Sequence, residues 1–156
     1  MALEAKDQRV LAEAVEALRQ GLGERLVAVV LFGSRARGEA TPHSDYDLLV
    51  LAEGLPERPL ERSLFLKRLL PAQYRGAMAV LAKAPRAFEA NLPSLYLDIA
   101  LDGEILYDPK GYAAERLAKL KHLIGELGLS REVTDAGFLW RWKKQPVAGW
   151  TLAWEE

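Results

Sequence analysis

Leu31-Phe32-Gly33-Ser34-Arg35-Ala36-Arg37-Gly38-Glu39-Ala40-Thr41-Pro42-His43-Ser44-Asp45-Tyr46-Asp47-Leu48-Leu49-Val50-Leu51 is the stretch that decides the fold of this chain. It begins inside an apolar, β-prone run from Leu26 to Phe32, which reads as a strand covered on both faces. Gly33-Ser34 breaks that run, a short basic loop follows, and Asp47 to Ala52 reads as the next strand. Side chains two apart on a strand share a face, so Asp45 and Asp47 are expected to project together. Carboxylates that close raise one another's pKa unless a cation neutralises them. Their hard oxygens suit Mg²⁺, which binds through one or two carboxylates plus substrate phosphates. Gly33-Ser34 just upstream offers backbone N–H groups and a hydroxyl to a phosphate, and a side chain in place of glycine would hold that phosphate away. An Asp-x-Asp pair alone is more often a pair of solvated turn residues, and a lone Gly-Ser means less still. The signal lies in their order: strand, Gly-Ser, basic loop, then Asp-x-Asp entering an apolar strand.

Upstream, Leu3, Val10, Leu11, Ala14, Val15, Leu18 and Leu22 recur at helical spacing, which predicts an amphipathic helix to about Gln20, ended by Gly21 and Gly23. Downstream, Leu60 to Leu70 has helical periodicity closed by Pro71, Ala77 to Ala82 reads as a strand, and Pro85 starts a short helix through Asn91. Leu95 to Ala100 reads as a further strand, with Asp102-Gly103 turning into Glu104 to Tyr107 as a hairpin. A last helix spans about Tyr112 to Leu127. The tail from Phe138 sets Trp140, Trp142, Trp150 and Trp154 around Arg141, Lys143, Lys144 and Pro146. Strands mixed with helices predict an α/β (α+β) fold, a small mixed sheet with helices packed on it. The expected organisation is one domain over 1–156, with its core at about 26–107.

The 156 residues, half of them hydrophobic, suffice for one buried core. A formal charge of -1 gives no support to nucleic-acid binding driven by net charge. Absence of cysteine excludes disulfides and thiol catalysis and fits a cytoplasmic location. No apolar run is long enough to span a bilayer, and Glu4, Lys6 and Asp7 interrupt any signal-peptide core, so neither membrane nor export is expected.

The segment GSRARGEATPHSDYDLLV resembles the signature of the DNA polymerase beta-type nucleotidyltransferase superfamily, and within it the minimal nucleotidyltransferases (MNT). The resemblance covers Leu26 to about Tyr107. It implies a polymerase beta-like fold, a triphosphate gripped by Gly33 and Ser34, and a two-metal Mg²⁺ site held by Asp45 and Asp47. It further implies a third carboxylate on a neighbouring strand. Asp98 is the candidate, since period-2 reading sets it with Tyr96 and Ala100 opposite Leu95, Leu97, Ile99 and Leu101. A salt bridge to an arginine is the structural alternative for a charge in so apolar a run. Asp102 competes, but its turn position explains it locally.

The resemblance also implies transfer of AMP from ATP to a tyrosine of a HEPN protein partner, in an antitoxin role. Two alternatives stay open: a transferase acting on a small molecule such as an aminoglycoside, and a catalytically silent HEPN-binding antitoxin. Arg35 and Arg37 are candidate phosphate ligands, because guanidinium forks match phosphate oxygens; otherwise they are solvated loop charges. Ser44 is a further nucleotide-binding candidate or a cap of the turn. His43 and His122 lack partners that would suggest zinc, Glu39 reads as a solvated loop residue, and no lysine and Ser/Thr follow Gly38, which excludes a P-loop. The tryptophan tail is either a stacking surface for single-stranded nucleic acid, a protein interface, or cover for the core.

Overall fold

A computed structural model describes residues 3–142 and Trp154. Its centre is a four-stranded sheet in the order β3-β2-β1-β4, with β1 (Leu26–Phe32), β2 (Tyr46–Ala52), β3 (Met78–Lys83) and β4 (Glu104–Tyr107). β1 runs antiparallel to both β2 and β4, whereas β2 and β3 are parallel. A parallel pair needs a crossover, and α3 (Pro59–Leu69) supplies it. Proline at the start of that helix suits the position, where no intrahelical N–H bond is lost.

Alternation along β1 and β2 builds two cores. Val29, Leu31, Leu48 and Val50 point to one face, where α1 (Ala5–Leu22) and α3 cover them with Leu11, Leu18 and Leu66. Ala28, Val30, Leu49 and Leu51 point to the other, under α4 (Pro85–Ala90), α5 (Ser94–Asp102) and α6 (Tyr112–Leu127). Both faces are therefore dry, which is why these strands are apolar at nearly every position. β5 (Leu129–Thr134) and β6 (Gly137–Trp142) form a separate antiparallel hairpin after α6. Among the described residues no helix is long and apolar enough to cross a membrane.

One expectation is overturned. Leu95 to Ala100 is not a strand but most of helix α5, and Glu104–Tyr107 is an edge strand entered from that helix rather than half of a hairpin. The buried set, Tyr96, Leu97, Ile99 and Ala100, follows helical spacing, while Leu95 and Leu101 stay exposed. A short apolar run fits either period, and the choice falls to packing. Here the buried residues of α5 share one core with Ala113, Leu117, Leu120 and Leu123 of α6, and leucine and alanine are good helix formers. Of the tail, Trp154 is buried and its indole N–H is shared between the Phe88 and Asn91 carbonyls, so it covers core. Trp150 lies outside the described residues.

Candidate active site

β1 ends at Phe32, and the chain turns at once into α2 (Gly33–Arg37), a single short helical turn. Gly33 has φ +77, the left-handed region that disfavours side chains. A Cβ there would collide with Asp47 Oδ2, so the glycine leaves a cradle that the carboxylate fills. Phe32 is the register partner of Asp47 across the β1–β2 ladder, which explains the close approach.

Asp47 is half-buried and Asp45 exposed. Burial pushes the Asp47 carboxyl above its usual pKa, and the neighbouring charge of Asp45 adds to this, with Arg37 opposing. The charge of Asp45, which lies just before the first residue of β2, is thus felt at Asp47. Arg37 does not pair with them; its ion pairs go to Glu39 at 2.7 Å and Asp102 at 3.6 Å. Among the described residues neither Asp45 nor Asp47 accepts a hydrogen bond or ion pair, and a carboxylate pair of this kind fits a cation. No three acidic or histidine side chains among the described residues converge tightly enough to hold a metal by themselves. Two carboxylates completed by phosphate oxygens remain a sufficient donor set for Mg²⁺.

Asp98 lines the same cavity of about 490 Å³ as Gly33, Arg37, Glu39 and Asp47, but from helix α5 rather than from a neighbouring strand. Its Oδ1 accepts from Arg131 at 3.3 Å and from the Trp140 indole at 3.0 Å. Asp102, one helical turn on, takes two bonds from the same guanidinium at 2.7 and 3.0 Å. Acids at i and i+4 share a helix face and repel, and Arg131 answers both. Asp102 is thus no mere turn residue. The salt bridge to an arginine, the structural alternative raised for Asp98 from the sequence, is therefore present, but the sequence does not single out Arg131, which acts across 33 residues. Its guanidinium also lies 4.1 Å from the centre of the Phe138 ring, and Arg37 lies 4.8 Å from the same ring. The β5–β6 hairpin is in this way pinned over the cavity. Arg131→Ala leaves Asp98 only the Trp140 indole and Asp102 only the more distant Arg37, so a loss of about 3 kcal/mol is expected in urea unfolding. A loss below about 1 kcal/mol would mean the hairpin is not held there.

Arg35, a candidate phosphate ligand, turns away from this cavity. Its Nε and Nη2 both donate to the Ser44 carbonyl, at 3.0 and 2.7 Å, and Nη1 reaches Asp7 at 3.3 Å. Ser44 closes a turn: its Oγ accepts from the Thr41 N–H at 2.9 Å, and its own N–H donates to the Thr41 carbonyl. Ser34 and Arg37 remain beside Gly33, with Arg37 on the cavity. Sequence reading missed Asp7, the one buried charged side chain among the described residues. A signal existed: Asp7 lies between Leu3 and Leu11 on the apolar stripe of α1, where an acid needs a partner. That partner is Tyr46, whose hydroxyl donates to Asp7 at 2.6 Å and is pushed up to about 12 by burial and this bond.

The nucleotidyltransferase domain family matches residues 11–126 of the chain. The Methanocaldococcus jannaschii protein named "Putative protein adenylyltransferase MJ1305" is 32% identical over 119 residues, covering 74% of this chain and 81% of that protein. A solved toxin-antitoxin structure with AMP-PNP superposes with a TM-score of 0.50 at 18% identity, over 74% of this chain and 90% of its own. A tri-AMPylated Shewanella oneidensis HEPN toxin in complex with MNT antitoxin gives 0.52 at 18% identity, over 78% and 92%. At such identity the two structures speak to the fold, which is the polymerase beta-like nucleotidyltransferase fold expected from the sequence.

Proposed function

This chain belongs to the nucleotidyltransferase domain family, and from that premise we propose that it transfers AMP from ATP to a hydroxyl of a protein acceptor. The observation that carries the reading is the approach of Asp47 to Gly33, with Asp45 beside it and, among the described residues, no ion pair to either. In this reading Asp45 and Asp47 hold Mg²⁺, and Gly33 and Ser34 take the phosphates by backbone N–H and hydroxyl. Arg37, on the same cavity, orients the triphosphate. The bound cation would supply charge neutralisation to the phosphates and the leaving pyrophosphate. The protein's own contribution is to fix reactants in line, which is most of what phosphoryl chemistry asks of it. Asp98, held by Arg131 and Trp140, serves by fixing the hairpin over the cavity, so cation binding falls to Asp45 and Asp47.

A protein acceptor is favoured by the name of the Methanocaldococcus relative. The Shewanella complex, whose HEPN toxin is tri-AMPylated, favours a HEPN partner; the acceptor residue we propose on it is a tyrosine, as the sequence resemblance implies, and this chain would act as its antitoxin in the cytoplasm. The test is to incubate the chain with ATP, Mg²⁺ and a HEPN-domain protein from the same organism, then measure intact mass. Added AMP on the partner is the expected result. A tight complex without adduct would instead indicate a silent binder, and neither complex nor adduct would return the small-molecule reading.

Ligand addition gives an acceptor-independent check. Mg²⁺ with a non-hydrolysable ATP analogue at about 100 times its Kd should stabilise the protein by about 2.7 kcal/mol, seen as a raised Tm. EDTA should abolish most of the rise. An EDTA-insensitive shift would refute metal-assisted nucleotide binding.

A further inference from the structure

The two carboxylates sit at the exposed mouth of β2, where their mutual repulsion favours splaying, yet the strand enters the sheet in register from Tyr46 onward. What resists splaying lies beneath the sheet. Successive strand residues point to opposite faces, so Tyr46, between Asp45 and Asp47, drops its ring into the α1 core, where it is 5% exposed. There its hydroxyl meets Asp7, and the Arg35 guanidinium lies 4.2 Å from its ring centre. Arg35 belongs to α2, next to Gly33-Ser34, and its fork also grips the carbonyl of Ser44, the residue before Asp45. One compact network thus ties three pieces together: the chain on each side of Asp45, the Gly33-Ser34 turn, and helix α1. Its members are little exposed, with the Arg35 and Asp7 side chains both at 13%, so solvent does little to loosen it.

We propose that Asp7, Arg35 and Tyr46 are positioning residues that clamp Asp45 and Asp47 at a fixed spacing beside Gly33 and so preorganise the divalent-cation site. The proposal rests on the nucleotidyltransferase reading. None of the three faces the cavity that holds Asp47, so none acts as a ligand. Each works on the carboxylates through the backbone, as hydrogen-bonded supports do around metal ligands generally.

The test uses Mn²⁺ in place of Mg²⁺, with free Mn²⁺ followed by electron paramagnetic resonance, on the full chain well below its Tm. Tyr46→Phe removes one hydroxyl and keeps the ring. Arg35→Lys keeps a charge for Asp7 but cannot grip Ser44 twice. Both should weaken Mn²⁺ binding by about 10–100-fold, the usual effect of deleting a support of a metal ligand. Asp47→Asn should bind none. Folded variants that take up Mn²⁺ with wild-type affinity, whatever their Tm, would overturn the clamp while leaving the parent reading intact. A wild-type protein that binds no more Mn²⁺ than Asp47→Asn would overturn the parent reading, and the clamp with it. Should Arg35→Lys fail to fold, Tyr46→Phe alone decides.

Discussion

Asp47→Asn is expected to lower nucleotidyl transfer by at least about 10²–10³-fold, the scale of removing one preorganised electrostatic contact, while the protein stays folded. The side chain fills the cradle left by Gly33 and an amide has nearly the same shape, so packing is preserved. What disappears is half of the charge offered to the cation. Stability should move the other way. In the ion-free protein the Asp47 carboxyl titrates above its usual value, chiefly through burial and then through Asp45. The native state therefore holds this proton more tightly than the unfolded chain. Stability then falls as pH rises from the unfolded pKa through the raised native one, because ionised Asp47 is tolerated better unfolded. Above that window, and without metal, the asparagine variant should melt no lower than wild type. Added Mg²⁺ and nucleotide should reverse the order by stabilising wild type alone. Near-wild-type transfer by the variant would remove the chemical basis of the proposed function.

Gly33→Ala is the second large effect. A non-glycine residue held at φ +77 carries strain of about 1–3 kcal/mol. Its methyl group would also occupy the place of Asp47 Oδ2, so the carboxylate must leave. Misplacement by an ångström costs on the order of 10²-fold in rate, and transfer should fall at least that far at temperatures where the variant is folded. Gly111→Ala separates the two causes. That glycine has φ +71 with open space around it, so the same strain arises without a collision. It should lose stability alone and keep its activity. If both variants lost stability and neither lost activity, the Gly33–Asp47 contact would have no part in the chemistry.

Much of this architecture was readable before any coordinates. β1 and β2 were legible as unbroken apolar runs, because strands covered on both faces have no polar side to interrupt them. Helices α1 and α3 showed their periodicity and their glycine or proline stops, and α6 was placed at its observed bounds. The strand period predicts a shared face for Asp45 and Asp47; Asp45 lies one residue before β2, and its charge acts on Asp47. Helix α5 was not legible. Leu95 to Leu101 carries apolar residues at alternate and at helical positions alike, and nothing within seven residues breaks the tie. The reading of Asp98 as a strand carboxylate inherited that ambiguity.

The nucleotidyltransferase signature was thus fixed locally, by residue types within a 21-residue stretch whose backbone geometry is short-range. Partnerships over distance were decided only by folding: Arg131 with Asp98 across 33 positions, Arg35 with Asp7 across 28, Tyr46 with Asp7 across 39. Local periodicity reports which face a side chain takes. It carries no record of which distant charge will be waiting there, because that is settled by how helices and hairpin pack on the two faces of the sheet.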